Sequence, residues 1–117
     1  MFEPRERLER FRKGVGVFSA DLPDTTTAML GFIGACGAPG ALSAREKERI
    51  ALGVAIFSRC EDCIVVHTHK ALELGITRQE ILEIAAVAMS FGGGPVLGAS
   101  ASLVLAAVDE FEKDFVH

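Results

Sequence analysis

An all-α domain is predicted by three features of this sequence. Two capping boxes, Ser43-Ala44-Arg45-Glu46 and Thr77-Arg78-Gln79-Glu80, each stand before an apolar run. In such a box the hydroxyl and the carboxylate satisfy each other's end amides. Breakers gather at Cys36-Gly37-Ala38-Pro39-Gly40, at Gly75 and at Gly92-Gly93-Gly94-Pro95, as they do between helices. Strand signals are scarce: Ile64-Val65-Val66 is β-branched but short, and it lies inside a helical frame.

About six helices follow in order. The first runs from Pro4, which suits a first turn, to about Val17, with Leu8 and Phe11 on one face. The second runs from Thr25 to about Cys36. The third starts at the Ser43 box and passes through Ile50, Val54 and Phe57 to about Ser58. The fourth spans about Cys60 to Leu74 and is stopped by Gly75. The fifth starts at the Thr77 box and ends near Phe91; the sixth follows Pro95 and reaches about Phe115. The fifth and sixth are apolar on more than one face, so each must be surrounded. One small domain can rarely surround two such helices, and a homo-oligomer is expected.

The chain has 117 residues, enough for one domain and too few for two, so a single domain over 1–117 is expected. The net charge of −4 and the lack of a Lys/Arg cluster argue against a nucleic-acid partner. The basic run Arg5 to Lys13 is interleaved with Glu6 and Glu9 and reads as a solvated helix face. The N-terminus is charged from Glu3 and has no apolar signal region. The nearly uncharged stretch Ile84 to Val108 is long enough for a membrane span, but the Gly92–Pro95 break divides it into two buried helices. A cytoplasmic protein with no membrane partner is expected. There, paired cysteines are more often catalytic or metal-binding than structural.

The stretch Cys60-Glu61-Asp62-Cys63-Ile64-Val65-Val66-His67-Thr68-His69 holds two of the three cysteines and two of the three histidines. On a helix, Cys60, Cys63 and His67 fall in one stripe, while Asp62 and His69 point elsewhere. Thiols in the first turn meet free amides and the positive end of the helix dipole, which lowers their pKa. One thiolate of a Cys-x-x-Cys can attack while the other resolves the product into a disulfide. His67, one turn below Cys63, can take or return a proton. Zinc is a competing reading, but it needs a fourth ligand, which only Cys36, Glu48 or His69 would supply, and no second Cys/His pair exists. A third reading is a core helix that happens to carry two Cys and a His. The dithiol reading accounts best for the joint spacing, so neither metal nor cofactor is expected.

The run from Glu46 to Gly75 resembles the alkyl hydroperoxidase D-like branch of the carboxymuconolactone decarboxylase family. The family pattern is a glutamate on one helix, then Cys-x-x-Cys-x-x-x-His after the turn, with a following Ala and Gly. Glu48, Cys60, Cys63, His67, Ala71 and Gly75 stand at those positions. The resemblance extends over about Ala41 to Val108. It implies a helical bundle around a helical hairpin, assembled as a homotrimer or homohexamer. It further implies a peroxidase-type disulfide oxidoreductase. Cys63 would be the peroxidatic thiol, Cys60 the resolving one, and Glu48 and His67 the proton relay. An external dithiol or lipoylated protein would be the reductant of the disulfide.

Two departures stand out: Asp62 replaces the histidine that some members carry before the second cysteine, and the chain is short for the group. Cys36, in a Gly-rich region, reads as a buried or idle thiol, and His69 as an exposed helix histidine. Two other functions compete. A decarboxylase acting on a muconolactone ring acid would need no cysteine pair but a cationic pocket, for which Arg45, Arg49 and Arg59 are the nearby candidates. A non-enzymatic redox-sensing oligomer would use the same reactive thiol once.

Overall fold

In the computed structural model, which describes residues 1–115, every predicted helix forms. α1 spans Pro4–Asp21, α2 Pro23–Gly37, α3 Ala44–Ser58, α4 Glu61–Glu73 and α5 Arg78–Gly92. α6 is one long helix, Gly94–Phe115. It is α-helical over Gly94–Ala99 and Leu105–Phe111, widened to a π-helix over Ser100–Val104, and tightened to a 3-10 turn at Glu112–Phe115. No strand occurs among the described residues.

Both capping boxes close. Ser43 Oγ accepts from the Glu46 amide at 3.0 Å, and Glu46 Oε1 accepts from the Ser43 amide at 2.9 Å. The Thr77 box has the same two bonds at 3.2 and 2.7 Å. Gly75 stops α4 with φ +83°, and Gly93 separates α5 from α6 with φ +68°, a region that favours glycine.

α1 runs four residues beyond the expected Val17, and α2 begins at Pro23 rather than Thr25. The physical stop is Pro23, which has no amide to donate and forces the residue before it out of the helical region. Leu22, at φ −138°, is therefore the single non-helical residue between the two helices.

The core gathers around α4. Ile64 and Val65 are fully buried with Leu52 and Ile56 of α3, Ile81 of α5, and Val104, Val108 and Phe111 of α6. Fully burying each such side chain contributes about 1.5–3 kcal/mol. α3 and α4 form the closest pair, a helical hairpin. Only Arg59 and Cys60 separate them; Arg59 makes the reversal in the left-handed region at φ +57°. α6 is long and apolar enough to cross a membrane by length and composition alone, and here it packs on α4, α1 and α5.

Two surfaces stay uncovered. On α2 only Thr26 is buried, while Met29, Leu30, Phe32 and Ile33 are exposed. Between α3 and α5 an apolar groove of about 510 Å³ is lined by Ile50, Gly53, Val54, Phe57, Val87 and Phe91. Phe91 is 81% exposed. α5, expected to be apolar on more than one face, thus leaves Val87 and Phe91 exposed within the subunit.

Candidate active site

The hairpin sets the site. Helical spacing puts Glu48 on the face of α3 that meets α4, where its side chain is only 5% exposed. His67 answers it from α4: Nδ1 lies 2.7 Å from Glu48 Oε1. A carboxylate that accepts from Nδ1–H in this bond leaves Nε2 as the ring nitrogen that can act as a base. Lys70, one turn beyond His67, holds Nζ 4.0 Å from Glu48 Oε2. Lys70 was not anticipated, although its i+3 spacing from His67 was legible.

Cys60 is the N-cap of α4, not a residue of its first turn. Its Sγ accepts from the Cys63 amide at 3.3 Å. Cys63 is half-buried against the core, and both cysteines are free thiols. The expected lowering of the thiol pKa does not hold for Cys63. Burial, the neighbouring Cys60 and then the charge of Asp62 push it up to about 11. At the helix start, loss of water around the sulfur outweighs the favourable end amides. Little Cys63 thiolate therefore forms at neutral pH unless a base takes its proton.

The two residues expected to point away do so, and each finds a partner on another helix. Asp62 Oδ1 accepts from Arg7 Nε at 2.7 Å, and Arg7 Nη1 also binds Glu61. His69 is 15% exposed rather than exposed. It stands edge-on to Phe111 and Phe115, with Nε2 3.4 Å from Asp114. It belongs to the packing of α4 on α6, away from Glu48. The run Arg5 to Lys13 is not simply a solvated face either, since Arg5 binds Glu110 and Asp114 at 2.8 Å each.

Cys36 lies in the last turn of α2 and is exposed, not buried. It sits on the rim of a cavity of about 520 Å³ whose walls include Phe32, Ile33, Ile50 and Leu74 and whose polar groups are Glu48, His67, Lys47 and Lys70. Neither Cys60 nor Cys63 lines it; His67 touches the cavity and stands one turn from Cys63. Lys47 Nζ donates to the Cys36 and Ala38 carbonyls at 3.0 and 2.6 Å, tying α2 to α3. The arginines considered for a carboxylate pocket are absent from this cavity. Arg49 pairs with Glu80 at 3.0 Å, Arg45 reaches the Gly75 carbonyl at 3.4 Å, and Arg59 forms the hairpin turn. Among the described residues, no three His, Cys, Asp or Glu side chains converge as metal ligands.

The model of the Carboxymuconolactone decarboxylase family matches residues 23–106. The chain belongs to this family. An uncharacterized protein of Cupriavidus necator is 35% identical over 91 residues, covering 78% of this chain and 80% of that protein. Uncharacterized protein 4 in the cox locus of Paracoccus denitrificans is 37% identical over 75 residues, covering 64% and 67%. The fold matches the crystal structure of an apo carboxymuconolactone decarboxylase family protein from Legionella pneumophila. Its TM-score is 0.87 at 29% identity, over 93% of this chain and 96% of that one. The resemblance read from Glu48, Cys60, Cys63 and His67 thus named the right family, and the all-α bundle is the fold it implied.

Proposed function

We propose that this family member is a thiol-dependent oxidoreductase that reduces organic hydroperoxides. The observation that carries the reading is the Cys60–Cys63 pair opening α4, one turn from an imidazole held at 2.7 Å by a buried carboxylate. The arrangement follows the logic of nucleophile, base and orienting acid. His67 Nε2 takes the Cys63 proton, and the Glu48 charge stabilises the imidazolium. The Cys63 sulfur attacks the terminal peroxide oxygen, the O–O bond breaks, and the departing alkoxide takes the proton from His67. Cys63 is now a sulfenic acid and the product an alcohol. The Cys60 thiol displaces water from that sulfenic acid, forming the disulfide. An external dithiol, free or carried on a lipoylated protein, returns both cysteines to thiols and is itself oxidised to a disulfide.

Apolar walls beside the relay favour an organic over an inorganic hydroperoxide. The test is a residue-resolved thiol count by mass spectrometry, before and after one equivalent of cumene hydroperoxide. Conversion of Cys60 and Cys63 to a mutual disulfide, with Cys36 still free, is expected. Both thiols unchanged after the peroxide would overturn the reading.

Lys47 and Lys70 on the cavity wall favour a second reading within the family, a decarboxylase-type reaction in which the two ammonium groups hold a ring acid. It leaves the cysteine pair without a task. Activity retained when both Cys60 and Cys63 are serine would select it. A sensor, in contrast, consumes one equivalent of peroxide per subunit and stops even with excess dithiol.

The uncovered faces of α2 and of the α3–α5 groove support an assembly of several subunits. A homotrimer or homohexamer is expected, and sedimentation should give a mass of three or six subunits. A single-subunit mass would refute it. Cytoplasmic location goes with this reading, because a dithiol that must be re-reduced works in a reducing compartment.

A further inference from the structure

Between the two cysteines the sequence places two carboxylates, Glu61 and Asp62. Left alone, both would oppose a negative charge on the neighbouring sulfur. The fold answers them with one residue more than fifty positions earlier. Arg7 on α1 sends Nε to Asp62 Oδ1 at 2.7 Å and Nη1 to Glu61 Oε2. We propose that Arg7 is a positioning residue of the dithiol: its fork holds both carboxylates and offsets their charge beside the Cys63 sulfur.

The other groups around Cys63 do not take this part. On α4 they are Cys60 and, one turn on, His67; from α3 comes Glu48, already bound to His67. The charged residues of α6 are engaged near its C-terminal end, where Asp109 and Glu112 bind Arg78 and Asp114 binds Arg5 and His69. From α1, Glu3, Glu6 and Arg10 line a pocket together with Glu61, and Arg7 is the residue bound to both carboxylates of the first turn of α4. Its side chain is 35% exposed and Asp62 is 40% exposed, so solvent weakens the effect without removing it.

The two ends of this pair make opposite predictions. Arg7→Gln leaves two uncompensated carboxylates and should raise the Cys63 titration midpoint by about half to one unit. Its alkylation at pH 8 should slow by about threefold to tenfold. Asp62→Asn removes the nearer charge and should move both the other way. A role confined to docking α1 on α4 would impair both variants in the same direction. The experiment is residue-resolved iodoacetamide alkylation of the full chain from pH 7 to 11, with melting temperature recorded alongside. Opposite shifts at Cys63, with Cys36 unmoved, are expected. Shifts of the same sign, or none, would overturn the inference, and Arg7→Lys should restore part of the rate. The inference rests on Cys63 being the reacting thiol, but alkylation needs no peroxide. Loss of peroxide reduction as a function would leave this result standing, and the reverse also holds.

Discussion

Replacing Cys63 by Ser is expected to abolish peroxide reduction, with turnover falling at least about a thousandfold, because a hydroxyl supplies no comparable nucleophile at neutral pH. Cys60→Ser should behave differently. Cys63 still reacts, but its sulfenic acid finds no second thiol, so one equivalent of peroxide is consumed and no disulfide forms. The asymmetry has a structural basis. His67 stands one turn from Cys63 and two from Cys60, and Cys60 Sγ is engaged with the Cys63 amide. Stopped-flow consumption of cumene hydroperoxide, with mass spectrometry of the product, separates the outcomes. The reverse pattern would make Cys60 the attacking thiol. Full activity in both variants would remove the dithiol mechanism.

The second large effect is expected at Glu48. Glu48→Gln is close to isosteric, and its amide oxygen can still accept from His67 Nδ1–H, so the hairpin should fold with little change in melting temperature. What disappears is the charge that stabilises the imidazolium once His67 holds the Cys63 proton. With Cys63 pushed up to about 11, spontaneous thiolate is too scarce to substitute for a base. A loss of about a hundredfold at pH 7 follows. The pH profile gives the sharper reading. In the variant the remaining rate should climb about tenfold per pH unit toward the thiol midpoint, because only preformed thiolate reacts. A profile identical to that of the unaltered protein would take Glu48 out of the relay. A collapse in melting temperature would mean that its main task is to hold α3 on α4.

The family of the protein was legible because its signature is mostly local. Cys60, Cys63 and His67 lie within two turns of one helix, and Glu48 precedes them across a hairpin whose turn is marked by the end of an apolar run. Helix starts were equally legible at Ser43 and Thr77, since a capping box is complete within four residues. The junction of α1 and α2 was not, because glycine-bearing segments leave open where a helix ends until Pro23 is weighed as the stop.

The sequence by itself thus determined the helical class, the hairpin, the family and the stripe of Cys60, Cys63 and His67, all of which depend on spacing along one or two neighbouring helices. The tertiary structure alone decided what surrounds that stripe. It set the burial that moves the Cys63 thiol upward against the helix dipole, and the aromatic pair that takes His69 out of solvent. It also exposed Cys36 on a cavity rim and brought Arg7 to the carboxylates between the cysteines. The physical reason is range. A cap or a helical stripe is closed by residues three or four apart, whereas desolvation and ion pairing depend on neighbours from other helices, which only packing brings together.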